Sequence, residues 1–310
     1  MENLKSRARV AAVFTVLYFL IFYVLVGWRP LHTYLLILVL SLALAHRYTM
    51  YALLAWSGFL GWTLLYDAMS IMPNHEVNSV HIKDLYDLEV LLFGIYESGT
   101  KISLCEWVVS RYNAFLSFIL GFSYLLWMPA PMLYAFYLIF AKKSAISYFS
   151  VAYFLTNVIG VLFYYLIPAA PPWYYLNHGP EVDLLVPGSA AGLAEFDKII
   201  GLDIFQGIYS NNSNIFGAIP SLHAAYPLLC LFIARKFQHR GWMFFFGAMS
   251  IGTWIAAVYT QHHYVIDVLC GVICAFMALY LMRYLSTLSG WKKVDDWYRG
   301  FLFIPSEVKA

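Results

Sequence analysis

Long apolar runs, each closed by charged or turn-forming residues, recur along the 310-residue chain. Most are long enough to cross about 30 Å of hydrocarbon as a helix. The pattern predicts eight spans: Val10–Val26, Leu31–Ala45, Tyr51–Met72, Ala114–Ala141, Ile146–Ile167, Ser221–Ala234, Trp242–Tyr259 and Tyr264–Tyr284. The second and sixth are short enough either to cross or to dip in and return. The first lacks a small-residue cleavage site and reads as a retained helix, not a signal peptide. The expectation is an all-α, polytopic transmembrane helical bundle of six to eight spans.

Composition agrees with that reading, since 62% of residues are apolar and only 12% charged, where a soluble domain carries about a quarter charged. A net charge of +2, with no basic tract interleaved with aromatics, argues against a nucleic-acid partner. Cys105, Cys230, Cys270 and Cys274 have no zinc-like spacing and read as small apolar packing residues.

The basic residues set an orientation. With the N-terminus inside, 14 Lys and Arg fall on inner segments and 5 on outer ones, as the positive-inside rule requires. Both termini are then cytoplasmic. Two long segments face the periplasmic or lumenal side. Residues 73–113 include an amphipathic stretch from Leu85 to Gly94 suited to the interface. Residues 168–220 form an aromatic, Pro- and Gly-rich loop of a length that is usually functional when ordered. The domains expected are 1–112 (N-terminal helices and outer interfacial segment), 113–290 (catalytic membrane core with outer loop 168–220) and 291–310 (cytoplasmic tail).

Chemistry concentrates at two places. In Gly217-Ala-Ile-Pro-Ser-Leu-His223, Pro220 and Ser221 predict a helix start. That puts His223 in the first turn, where free N–H groups suit phosphate. In His262-His-Tyr-Val-Ile-Asp267, His263 and Asp267 are four apart and predicted to share a helix face. A carboxylate there can hold one imidazole nitrogen as N–H and leave the other as nucleophile. The topology puts both helix starts on the outer side, so the three residues can converge beneath the loop. His262 has no acid four residues on and is assigned a supporting place. His32, His46, His75, His81, His178 and His239 have no visible partner and read as interfacial or loop residues.

Pro220-Ser-Leu-His223 and the His263 to Asp267 spacing resemble the second and third motifs of the type 2 phosphatidic acid phosphatase superfamily. The resemblance implies a six-helix catalytic core and a mechanism without metal or cofactor. The His263 counterpart attacks phosphorus, the Asp267 counterpart orients it, and the His223 counterpart protonates the leaving alkoxide. Two departures stand out. Ala257 occupies the place of the third motif's Arg, and the only Arg-Pro, Arg29-Pro30, lies far upstream of where the first motif belongs. The usual cationic clamp on phosphate is missing, and Lys198 and His178 are the nearby cations available to replace it.

A narrower resemblance fits better. Pro168-Ala-Ala-Pro-Pro-Trp-Tyr174, the stretch from Gly188 to Asp197, and the two motifs above are similar, in order, to the inositol phosphorylceramide synthase family, the aureobasidin target of fungi. This implies transfer of phosphoinositol from phosphatidylinositol to ceramide, releasing diacylglycerol. Ser221, Trp173, Tyr174, Asp197 and His262 become expected substrate contacts, with Tyr175 and Asp203 beside them. The aromatics equally suit an interfacial belt, and the carboxylates a solvated loop. A lipid phosphatase shares every catalytic residue and remains the alternative, as does transfer of another phospho-headgroup. An inactive lipid transporter or scaffold would have little reason to keep all three. The residues leave open an accessory subunit.

Overall fold

The computed structural model describes residues 4–28, 30–141, 145–210 and 214–301. Arg29, Lys142, Lys143 and Lys309, used in the charge count, lie outside them, as do residues 211–213 of the outer loop and 302–310 of the expected tail.

The described residues are mostly helical. The N-terminal helices are α1 (Leu4–Ile21, continued by a π-helical turn Phe22–Val26), α2 (Pro30–Ala45), α3 (Arg47–Ala55) and α4 (Ser57–Ala68). The first outer segment holds α5 (Asn74–Val77), α6 (Lys83–Phe93), β1 (Ile95–Glu97), β2 (Thr100–Ile102) and α7 (Leu104–Val109). Next come α8 (Ala114–Leu125), α9 (Pro129–Ala141) and α10 (Ile146–Leu166), then α11 (Pro172–His178), α12 (Ala194–Ile200) and α13 (Ile204–Tyr209) within the second outer segment. The chain continues through α14 (Leu222–Lys236), α15 (Arg240–Tyr259), α16 (Val265–Leu285) and α17 (Ser289–Phe301).

The expectation of a purely α chain is corrected by the antiparallel β1–β2 hairpin. Ser98 and Gly99 both take positive φ at its turn, the conformation a tight two-residue hairpin demands. Two expected spans are interrupted. Helices α8 and α9 meet at a 45° bend, with Pro129 opening α9, where proline's fixed φ suits a helix start. The expected span from Tyr51 divides into α3 and α4 at Trp56, whose indole N–H donates to the Met132 carbonyl (3.1 Å). Helices α10, α15 and α16 are each long and apolar enough to cross a membrane, and α8 with α9 makes a fourth, bent candidate. The chain is an integral membrane protein.

Helix α14 sits at the centre, packed against α10, α15 and α16. It has 15 residues, about 22 Å of axis, and most of its side chains are buried by protein. Helices α15 and α16 instead leave Ile251, Ile255, Leu269, Ile273 and Phe276 exposed, an apolar surface of the kind lipid covers. The α14–α16 crossing is close because of Gly271. A Cβ there would stand 2.2 Å from the Ser221 carbonyl oxygen, far inside van der Waals contact. Gly271→Ala is therefore expected to force the two helix starts apart, lowering the thermal unfolding midpoint in detergent and the turnover rate together.

The second outer segment is folded because its ends are tied. The Ala169 N–H donates to Phe216 (2.9 Å) and the Ala218 N–H to Ala169 (3.1 Å), while His81 exchanges backbone bonds with Pro168 and Ala170. Trp173 and Gly192 donate backbone N–H bonds to Gln261 and Thr260 (both 3.1 Å). The loop is thereby fastened to the residues just before His262.

Candidate active site

Both histidine-bearing elements start at the same end of the bundle. Ser221 caps α14, its Oγ accepting the Ala224 N–H (3.3 Å). Pro220 precedes the cap instead of opening the helix as expected, and His223 is the second residue of α14. The Ser221 backbone N–H donates to the Asp267 carbonyl (2.9 Å), locking the start of α14 to α16. Four residues after His223, Pro227 has no N–H to give, so the His223 carbonyl lacks its usual helical donor.

His263 lies before α16, not on it. Tyr264 is the N-cap in extended conformation, and the N–H groups of His262 and His263 both donate to the Ala257 carbonyl (3.1 and 3.0 Å). The expected shared helix face is thus replaced by a capping turn. Asp267 Oδ2 accepts the Tyr264 N–H at 2.8 Å and stands 3.5 Å from His263 Nδ1. The Ala218 carbonyl, at 3.1 Å, is the nearer acceptor for that nitrogen. Asp267 orients His263 chiefly by fixing the turn, and the direct hydrogen bond comes from the start of the opposing motif. Its Oδ1 is buried without a hydrogen-bond partner among the described residues.

With Nδ1–H donated to Ala218, His263 Nε2 carries the ring's lone pair. Burial lowers the His263 imidazole from 6.5 to about 4, against the raising effect of the Ala218 carbonyl. The ring is therefore neutral near pH 7. Its Nε2 is 3.2 Å from His223 Nδ1. His223 is stacked on Tyr124 and edge-on to Trp127. His262 lies stacked between Tyr124 and Tyr209, with its Nε2 against the Ala190 carbonyl (3.0 Å).

His223, His262 and His263 line one cavity of about 400 Å³ that extends to the N-terminal helices. Of the expected substrate contacts, Trp173 and His262 are on its wall. Tyr174 is not; it is buried, and its hydroxyl bonds the Glu181 carbonyl (2.9 Å) and the Asp183 N–H (2.7 Å). Nor is Asp197, whose carboxylate accepts the Phe205 and Gln206 N–H groups at the start of α13. Ser221 is spent on capping, and Tyr175 stacks on Tyr86. Asp203 is the exposed residue preceding α13. Among the described residues no Lys or Arg lines the cavity: Lys198 pairs with Glu195 (2.6 Å), and His178 is exposed at the end of α11. Ala257, at the place of the family arginine, is fully buried in an apolar cluster with Tyr124, Phe205 and Ala256.

The sequence reading missed two groups. His32 does have a partner, Asp67, at 2.7 Å. Glu89 of α6, read only as part of an interfacial helix, is fully buried and accepts the Val265 and Ile266 N–H groups (3.0 and 3.2 Å). These are orphan donors at the start of α16, so Glu89 holds the helix that follows the His263 turn. Cys105 supports the same turn, its thiol donating to the His263 carbonyl (3.3 Å).

Burial pushes the Glu89 carboxyl up from 4.5 to about 7, against the lowering effect of the two N–H groups. The unfolded chain thus loses this proton at lower pH than the folded one. Stability falls as pH rises from 4.5 through about 7. Glu89→Gln should flatten that segment of a melting-temperature-versus-pH curve while keeping one acceptor. Glu89→Ala leaves both donors unsatisfied and is expected to cost about 1–3 kcal/mol at every pH.

A PAP2 superfamily model matches residues 96–281. A phosphoinositol dihydroceramide synthase of Bacteroides thetaiotaomicron is 36% identical over 96% of this chain and 99% of its own length. The inositol phosphorylceramide synthase of Candida albicans is 29% identical over 72% of this chain and 46% of its own length. The catalytic subunit of the Saccharomyces cerevisiae enzyme is 29% identical over 73% of this chain and 55% of its own length, so the chain spans about half of these fungal relatives. No solved structure matches the chain. It belongs to the PAP2 superfamily, among the inositol phosphorylceramide synthase-like members.

Proposed function

We propose that the protein is a phosphoinositol transferase that moves the headgroup of phosphatidylinositol to ceramide and releases diacylglycerol. The observation that carries this reading is a pair of histidine nitrogens 3.2 Å apart in a cavity without Lys or Arg among its described lining residues. A phosphate monoester brings close to two negative charges, and a phosphatase needs cations to hold it. A phosphodiester brings one. A neutral His263, a single proton on His223, tyrosine hydroxyls and the N-terminus of α14 suit the smaller charge. The names of the similar proteins point to the same headgroup and acceptor class.

In this mechanism His263 Nε2 attacks phosphorus and a bond forms between them. The bond from phosphorus to the glycerol oxygen breaks, and His223, acting from its imidazolium form, gives that oxygen a proton and becomes neutral, so diacylglycerol leaves. His223 then takes the proton of the ceramide primary hydroxyl, whose oxygen attacks phosphorus and restores His263. Asp267 positions the nucleophile through the Tyr264 turn. The phosphoryl group passes between the two rings, so His223 swings away from its contact with His263 when lipid enters.

The family core is read as six helices, with α14 crossing alongside α8–α9, α10, α15 and α16, and six to eight spans in the whole chain. The domain limits stay 1–112, 113–290 and 291–310. The Lys and Arg distribution supports a cytoplasmic location for both termini and an outward-facing cavity. Incubation with phosphatidylinositol alone tests the transferase reading against the phosphatase one. Diacylglycerol release is expected to stop near one equivalent per protein and to resume when ceramide is added. Steady release without ceramide, with free inositol phosphate accumulating, would establish the hydrolase instead.

A further inference from the structure

The cavity has a second polar end. His32, in the first turn of α2, and Asp67, in the last turn of α4, both line it, with His32 Nε2 2.7 Å from Asp67 Oδ2. Both residues lie outside the segment matched by the superfamily model. His32 is only 3% exposed, and the aromatic rings of Tyr18, Phe22 and Trp28 surround it, Phe22 closest at 4.9 Å between centroids. Tyr18 also lines the cavity, and its hydroxyl is buried with no hydrogen-bond partner among the described residues. An orphan hydroxyl of this kind costs free energy unless something bonds to it.

The placement of the pair follows from the chain path. Just beyond α4, Asn74 donates its side-chain amide to the Tyr164 and Phe216 carbonyls (both 2.8 Å). The end of α4 is therefore held against the segment that leads into α14. His32 and Asp67 face the same chamber as His223 and His263 without taking part in the histidine contact.

We infer that His32, Asp67 and Tyr18 form a subsite that binds the hydroxyls of the polyol headgroup of the donor lipid, an inference that rests on the transferase reading above. The carboxylate and imidazole accept and donate hydrogen bonds, as vicinal hydroxyls require, and aromatic faces beside them suit the C–H faces of a saturated ring. The headgroup is also the one part that stays on the protein between the two half-reactions. Its glycerol anchor has left, so a grip at a distance from phosphorus keeps the ring in place until the acceptor arrives. The acceptor lipid needs no such grip, because its own chains anchor it.

The test is steady-state transfer by the full chain in mixed micelles, varying phosphatidylinositol and ceramide separately, for His32→Gln, Asp67→Asn and Tyr18→Phe. Loss of a hydrogen bond to a charged or buried partner is expected to raise the KM for phosphatidylinositol about 10-fold or more in the first two variants. The same should appear to a smaller extent in Tyr18→Phe, with the KM for ceramide within about twofold. Partial misfolding lowers the active fraction, and hence kcat, without separating the two KM values. A rise in the ceramide KM alone, or no change in either, overturns the subsite. Wild-type protein that turns over no phosphatidylinositol overturns the transferase reading instead, so the two failures are told apart.

Discussion

His263→Ala should abolish transfer, lowering the rate by about 10⁴-fold or more, because the proposed covalent intermediate forms on its Nε2. Its Nε2 is the nitrogen left with a lone pair once Nδ1–H is given to Ala218, and burial keeps the ring neutral near pH 7. The side chain is 7% exposed and packs beneath the outer loop, so the alanine variant loses contacts as well as chemistry. Folding is therefore checked separately by gel filtration and thermal unfolding in detergent. A folded variant that neither releases diacylglycerol nor retains labelled phosphate fits the assignment. A folded variant with full transfer contradicts it.

His223→Ala is the second large effect, and its signature differs. Loss of a general acid and base typically costs about 10²–10⁴-fold, and the cost depends on how badly the leaving group needs a proton. The glycerol alkoxide needs one. A phosphoinositol ester of a nitrophenol does not. With that substrate His223→Ala should still form the phosphorylated enzyme at a rate near wild type, then stall, because no base remains to activate the acceptor hydroxyl. If the variant is equally slow with both leaving groups, His223 has no acid role, and its 3.2 Å contact with His263 serves only to position the nucleophile.

The approach of His223 and His263 was legible because the signals around each are local. A cap residue two before His223 and a carboxylate four after His263 can each be read within one turn of chain. The geometry of the second signal was less accessible. His263 to Asp267 has the spacing of a helix face, but Tyr264 is the cap, so the carboxylate turns back to the backbone instead of running beside the imidazole. Spacing does not reveal where a helix begins when the residue before it is an aromatic with no capping preference.

What was missed joins positions far apart. His32 and Asp67 are 35 residues distant, and Glu89 reaches N–H groups 176 and 177 residues on. In α6 the buried face includes Leu85 and, one turn later, Glu89. A carboxylate at a position where the pattern calls for an apolar residue was the available signal, and in an amphipathic stretch it reads as part of the solvated face. The interrupted spans had an equally modest mark. Pro129 announces the α8–α9 break, whereas nothing in Ala55-Trp-Ser57 requires one, and only the packing of Trp56 on Met132 explains it.

Lipid-to-lipid transfer is tested with phosphatidylinositol labelled separately in its phosphorus and its inositol ring, incubated with ceramide and the purified protein. Both labels are expected to reach the ceramide product in the ratio of the starting lipid, with one diacylglycerol released for each product formed. Free inositol phosphate in place of that product, loss of one label relative to the other, or no turnover would contradict a lipid-to-lipid phosphoinositol transfer.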